Sequence, residues 1–170
     1  MLATMTWIDC GHDQLEAIRA IFNDAIANTT ALYENEPRTP EFMAEWFAGK
    51  HSRSLPVIGV LADDGTLMGF GTYGPFRPLV GFRHTVEHSL YIASPYRGQG
   101  LGRQLLQRLI ELATAGGHHT MLGMIDGEND VSIKLHEALG FQHCGRLRET
   151  GCKFGRWLDV VIMQRMLSPG

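Results

Sequence analysis

The sequence predicts an α/β domain built on a mixed sheet, and three observations carry that reading. Period-two and period-3.6 apolar patterns alternate along most of the chain. A glycine-rich turn joins a strand-like segment directly to a broadly apolar helix. The 170 residues fit one domain over 1–170 and leave no room for a second of ordinary size.

The elements follow in order. Met5 to Asp9 reads as a short first strand, and His12 to Asn28 as a helix with Leu15, Ile18, Ile21, Phe22, Ala25 and Ile26 three and four apart. Residues 28–37 are polar and longer than a simple connection needs, as functional loops often are. Thr39-Pro40 then starts a second helix, with Thr39 as N-cap and Pro40 first inside, and Phe42, Met43, Trp46 and Phe47 form its apolar face. Pro56 to Asp63 and Thr66 to Phe76 read as a hairpin turning at Asp64-Gly65. Gly69, Gly71 and Gly74 in its second strand suggest a bulge or a close approach.

Arg77 to Phe82 leads into a central strand. There Val86, His88, Leu90 and Ile92 fall on one face, and Thr85, Glu87, Ser89 and Tyr91 on the other. After Pro95 and the glycine turn comes a helix over Leu101 to Ala115. Thr120 to Asp126 is a strand behind a loop holding His118-His119, and Asn129 to Leu139 is a helix ended by Gly140. Phe141 to Glu149 and Leu158 to Met166 are the last strands, linked through Thr150 to Trp157.

Composition narrows the class. The chain is 44% hydrophobic with a mean hydropathy of -0.08, which suits a soluble protein with a core. Its 15 basic and 18 acidic residues are mixed along the chain, unlike a nucleic-acid surface. No apolar run approaches the roughly 20 residues of a membrane span, and the first residues lack a signal-peptide pattern. A cytoplasmic protein with no nucleic-acid or membrane partner is expected. Cys10, Cys144 and Cys152 stand at unrelated spacings and do not suggest a disulfide framework. Without Cys-x-x-Cys or His-Glu-x-x-His, no metal site is expected.

The chemistry is concentrated in Arg97-Gly98-Gln99-Gly100-Leu101-Gly102-Arg103. A glycine turn at a helix start leaves backbone N–H groups unpaired and turned outward, which suits a phosphate, although a bare strand-to-helix turn uses the same glycines. A P-loop would need Lys and then Ser or Thr after the last glycine, and here Arg103-Gln104 follow. The dinucleotide fingerprint needs a three-residue step between its second and third glycines, and here the step is two.

This turn resembles the acyl-CoA pyrophosphate loop of the GCN5-related N-acetyltransferases, and Asn129 to Phe141 resembles a second motif of that superfamily. Arg83 to Ser89 and Lys153 to Asp159 are similar to the phosphinothricin and methionine sulfoximine/sulfone acetyltransferase branch. The similarity runs from about Trp7 to Leu167. It implies a mostly antiparallel sheet of six or seven strands with about four helices, splayed where acetyl-CoA lies beside the central strand. It also implies a homodimer, and a role in detoxification or herbicide resistance.

The resemblance assigns residues as well. Glu87 becomes the general base, directly or through water, although a mid-strand carboxylate is otherwise a solvated one. His136 stands where many relatives carry the tyrosine that protonates the CoA sulfur, although a helix histidine is often a packing residue. Cofactor contacts fall to the backbone of Leu90, Tyr91 and Ile92, to Arg97 through Arg103, and to Asn129 and Ser132. Arg77 would grip a substrate carboxylate through paired hydrogen bonds, with Tyr73, Phe76, Thr85, Glu87, His88 and Ser89 as further substrate contacts and Tyr33 and Lys153 as pocket candidates. Phe82 stands where relatives have tyrosine, which bears on substrate preference. The expected reaction is acetylation of the α-amino group of a small amino acid or analogue by direct attack in a ternary complex. A protein N-terminal or lysine acetyltransferase and a non-catalytic acyl-CoA sensor are the alternatives.

Overall fold

In the computed structural model, which describes residues 5–167, seven strands form one sheet in the order β1-β2-β3-β4-β5-β7-β6. In chain order these are β1 (Thr6–Asp9), β2 (Val57–Leu61), β3 (Leu67–Pro75), β4 (Thr85–Ile92), β5 (Thr120–Asp126), β6 (Gln142–Lys153) and β7 (Arg156–Met166). The helices are α1 (Leu15–Asn28), α2 (Pro40–Ser52), α3 (Leu101–Ala115) and α4 (Asp130–Ala138). Short 3₁₀ turns cover His12–Gln14, Val80–Phe82 and Ser94–Tyr96. The first of these displaces the expected start of α1 from His12 to Leu15.

Local chemistry sets the helix ends. The Thr39 hydroxyl accepts the Phe42 N–H at 3.2 Å, with Pro40 opening α2. The Asn129 side chain caps α4 by accepting the Ser132 N–H at 3.1 Å, and Gly140 beyond it takes φ 81. Between β6 and β7 the link is only Phe154-Gly155, at φ 52 and φ 72, rather than the expected Thr150 to Trp157. Such a left-handed pair makes a tight hairpin. The polar stretch around Thr150 that resembles a turn is an irregularity inside β6, where the register shifts between Leu147 and Gly151.

Helices cover both faces of the sheet. On one, Phe22 of α1 and Phe47 of α2 pack with Phe70 of β3, and Tyr91 of β4 joins them. On the other, Leu105, Leu106 and Leu109 of α3 pack with Val86, Met121, Met163 and Phe141. Close approach explains two glycines of β3, and a bulge flanks the first of them. A Cβ on Gly69 would meet the Ile92 side chain at 2.7 Å, and one on Gly71 would meet Leu109 at 2.9 Å. The hairpin's bulge lies on β3 as well: Val60 opposes Gly69 and the next residue, Leu61, opposes Leu67, which leaves Met68 as the extra residue beside Gly69.

Among the described residues only β4 and β5 pair in parallel, and only over Thr85–Thr120, Val86–Met121 and Glu87–Leu122. Both strands continue past that point, to Ile92 and Asp126, paired to β3 and β7 on their outer sides but no longer to each other. The sheet therefore opens into a V whose vertex follows Glu87.

Candidate active site

Glu87 belongs to the last parallel pair before the strands part, on the α1–α2 face, half-buried. Burial raises its carboxyl pKa, and the guanidinium of Arg77 opposes that only in part. A carboxylate held at the mouth of a cleft with a raised pKa is suited to taking a proton near neutral pH. Gly74 is its partner on β3, and Lys50 reaches across that bare position. The Lys50 ammonium donates to the Tyr73 carbonyl at 3.0 Å, and burial lowers its pKa to about 8.

Along the V, the β5-facing backbone edge of β4 beyond Glu87, through Leu90, Tyr91 and Ile92, has no ladder partner. At its end the glycine turn enters α3. Gly98 and Gly100 take φ 74 and φ 81, and nothing stands within 4 Å of where their Cβ atoms would lie. Gly102 is helical and would bring a Cβ no closer than 3.6 Å to Leu135. No side chain caps α3, and among the described residues no acceptor receives the N–H groups of Gly98 through Arg103. Open space, left-handed glycines and free N–H groups at a helix start fit a pyrophosphate. Arg97 braces the turn, donating to the Ile92 carbonyl at 3.0 Å and to Asp24 at 2.7 Å. Gln99 ties back to the Pro95 carbonyl at 3.1 Å, while Arg103 is exposed.

His136 of α4 and His88 of β4 meet at the vertex. Their Nε2 atoms are 2.9 Å apart, and the rings meet edge to edge with planes 22° apart and centroids 5.0 Å apart. His136 Nδ1 lies 2.6 Å from the Ser132 carbonyl oxygen and 3.5 Å from the Ser132 hydroxyl. Burial lowers the pKa of both rings, and for His88 the neighbouring His136 adds to the effect. Phe141 packs edge-on against both.

The expected substrate contacts divide between the two faces. Thr85, Glu87 and Ser89 share the α1–α2 face with Tyr91, as the period-two pattern requires, and Phe76 and Arg77 lie just past the end of β3. Tyr73 and His88 do not join them. They are opposed across the β3–β4 ladder on the other face, where Tyr73 is buried against His118. Phe82 packs edge-on against Phe76 at 5.8 Å.

Tyr33 and Lys153 fasten the loop between α1 and α2. The Lys153 ammonium, 2% exposed, donates to the Thr29 and Leu32 carbonyls at 2.7 Å each. The Tyr33 hydroxyl lies 2.7 Å from Asp126 Oδ1 and 2.9 Å from the Asp159 carbonyl, and Thr30 donates to Asp126 Oδ2 at 2.5 Å. Asp126, at the end of β5, is a site residue the sequence reading missed, and an acidic residue ending a strand before Gly127 gives no signal of its own. Gly151 is another, because a Cβ there would overlap the Tyr33 ring. Gly123 is a third, because the histidine pair lies against it.

A mixed sheet parted after one short parallel pairing, with a half-buried carboxylate at the vertex and an uncapped glycine turn at the far end, makes a cleft suited to a long phosphorylated carrier. The comparisons give the family. The Acetyltransferase (GNAT) family pattern matches residues 16–141. An L-methionine sulfoximine/L-methionine sulfone acetyltransferase of Pseudomonas paraeruginosa is 44% identical over 161 residues, spanning 95% of this chain and 94% of its own. An N-acetyltransferase structure from Staphylococcus aureus superposes with a TM-score of 0.95 at 40% identity, covering 98% of this chain and all of that one. A phosphinothricin acetyltransferase from Sinorhizobium meliloti, solved in complex with AcCoA, gives 0.93 at 36% identity over 96% of this chain and 88% of that one. The chain belongs to the GNAT acetyltransferase family and is an acetyltransferase.

Proposed function

We propose that the enzyme acetylates the α-amino group of a small amino acid or analogue, of the methionine sulfoximine, methionine sulfone or phosphinothricin type, by direct attack in a ternary complex with acetyl-CoA. The observation that carries this reading is Glu87, a half-buried carboxylate of raised pKa at the vertex of the β4–β5 opening. The substrates of the similar enzymes from Pseudomonas paraeruginosa and Sinorhizobium meliloti support the substrate class.

Bound acetyl-CoA supplies an acetyl group already activated as a thioester. The N–H groups of Gly98 through Arg103 hold its pyrophosphate, with Arg97 and Gln99 shaping the turn. The free edge at Leu90, Tyr91 and Ile92 pairs with the pantetheine amides, and Asn129 and Ser132 flank the same arm. Glu87 takes the ammonium proton, directly or through one water, and leaves the amine free to attack. An unpaired β4 N–H beyond Glu87 stabilises the oxyanion. Arg77 grips the substrate carboxylate, with Phe76, Thr85 and Ser89 around the side chain. The same reading makes the protein a cytoplasmic homodimer of one acetyltransferase domain, whose reaction detoxifies such analogues and confers herbicide resistance.

A thiol-release assay with acetyl-CoA tests it, run over methionine sulfoximine, methionine sulfone, phosphinothricin, the common amino acids and an N-terminal alanine peptide. Highest kcat/KM for an amino-acid analogue is expected. Highest kcat/KM for the peptide would assign the enzyme to protein acetylation instead.

A further inference from the structure

We propose that His88 is a positioning residue which, seated with His136 on Gly123, donates to His136 Nε2 and holds that ring in place and neutral, in the tautomer its bond to the Ser132 carbonyl selects. His136 therefore shapes the vertex of the cleft and does not protonate the departing sulfur. The proposal rests on the acetyl-transfer reading above and assigns a role within that site.

Hydrogen-bond accounting fixes the tautomers. The Ser132 carbonyl oxygen can only accept, so His136 Nδ1, 2.6 Å away, carries the proton. In a neutral ring His136 Nε2 is then an acceptor, and its partner His88 Nε2, 2.9 Å away, must be the donor. That leaves His88 Nδ1 as a bare lone pair, and this atom is indeed buried with no partner. Both rings are buried, at 8% exposure for His88 and 3% for His136, which favours the neutral forms. In this arrangement His136 has one proton, already given to a carbonyl. Releasing it to a thiolate would leave an imidazolate, and the His88 Nε2 proton cannot compensate without leaving one in turn. A thiol of the cysteine kind has a pKa of about 8.5 and departs without that help.

Position explains what the pair does instead. His88 follows Glu87 on β4, and Gly123 follows Leu122 on β5, so these two residues come directly after the last parallel pair. The paired imidazoles sit where the ladder ends. A Cβ on Gly123 would come within 3.1 Å of His136 Cδ2, His136 Nε2 and His88 Nε2, while Phe141 closes the pair from another side. Gly123 is the floor that lets two rings wedge the strands apart beside the Glu87 backbone.

Long-range ¹⁵N imidazole NMR on the whole enzyme reads the tautomers without reference to activity, so failure of this proposal is separable from failure of the acetyl-transfer reading. At pH 7.5 the expected pattern is a protonated Nδ1 on His136, a protonated Nε2 on His88, and no imidazolium. A protonated Nε2 on His136, or a cation at either ring, overturns the assignment. Two variants test the positioning role. His88→Gln keeps an N–H donor, and should keep the His136 signature and kcat within about fivefold of the parent. His88→Leu removes the donor, and should move the His136 Nε2 resonance downfield toward that of an unbonded acceptor and lose at least about tenfold more in kcat than His88→Gln, with KM for acetyl-CoA changed less than threefold. Indistinguishable turnover and spectra for the two variants would overturn the role assigned to His88.

Discussion

Gly151→Ala tests how the α1–α2 loop is fastened. A Cβ on Gly151 would overlap Cδ2 and Cε2 of the Tyr33 ring, so an alanine there forces the ring off β6. With it goes the hydroxyl that lies 2.7 Å from Asp126 Oδ1 and 2.9 Å from the Asp159 carbonyl. Its single proton serves the charged and closer acceptor, and a hydrogen bond to a charged group contributes about 1.5–3 kcal/mol. Asp126 is only 6% exposed, so water does not readily replace the bond, and Thr30 remains as its other hydroxyl donor. Against this, replacing Gly by Ala stiffens the unfolded chain and returns about 0.4–1 kcal/mol. The net expectation is a loss of about 1–2 kcal/mol, which lowers Tm by roughly 2–8 °C in a domain of this size. Tyr33→Phe, which removes only the hydroxyl, should cost about 1.5–3 kcal/mol. Since both changes break the same bond, urea denaturation of the double variant should fall short of additivity by at least about 1 kcal/mol. Strict additivity, or Gly151→Ala at parental stability, would show that Tyr33 does not depend on the bare glycine.

Three further outcomes follow from the site. Gly98→Ala and Gly100→Ala place a Cβ on left-handed backbone in open space, costing about 1–2 kcal/mol of stability each. Calorimetry should show acetyl-CoA affinity reduced at least about tenfold in folded protein, and unchanged affinity would remove the turn from the cofactor site. Arg77→Ala should raise KM strongly for amino acids and little for amines lacking a carboxylate, whereas equal losses would mean that Arg77 does not read the carboxylate. The histidine pair predicts acid sensitivity. Both rings have folded pKa values below the unfolded value of about 6.5, so below that pH the unfolded chain takes up protons that the folded one refuses. Stability should fall by up to about 1.4 kcal/mol per pH unit for each ring between pH 6.5 and 5, and His88→Gln should flatten the slope in urea titrations at those pH values.

Much of the architecture was legible because local pattern and tertiary need agree. The apolar stripe of α3 and the Thr39-Pro40 cap of α2 each specify an element without help from the rest of the chain. The alternation in β4 also foretold that Glu87 and His88 would face opposite sides, although the resemblance grouped both as substrate contacts. What stayed hidden depends on contacts distant in sequence. Lys153 is buried by carbonyls more than a hundred residues earlier, at Thr29 and Leu32, and nothing near it in the chain announces that. Gly123 and Gly151 look like weak points in strands until His136 and Tyr33 are seen lying over them. The β6–β7 boundary was misplaced because a polar irregularity within a strand and a true turn use the same residues.

The central claim is that Glu87 removes the proton from the amine, and Glu87→Gln addresses it most directly. Glutamine keeps the shape but takes no proton at neutral pH. Steady-state thiol release at pH 7 with a methionine sulfone-type substrate should show kcat/KM reduced by about 10²–10⁴-fold. Acetyl-CoA affinity by calorimetry should stay within about twofold of the parent. Raising the pH should restore part of the loss, because more amine arrives already deprotonated. Near-parental turnover at pH 7 would contradict the account, leaving the enzyme to bind the free amine and supply only position and oxyanion stabilisation.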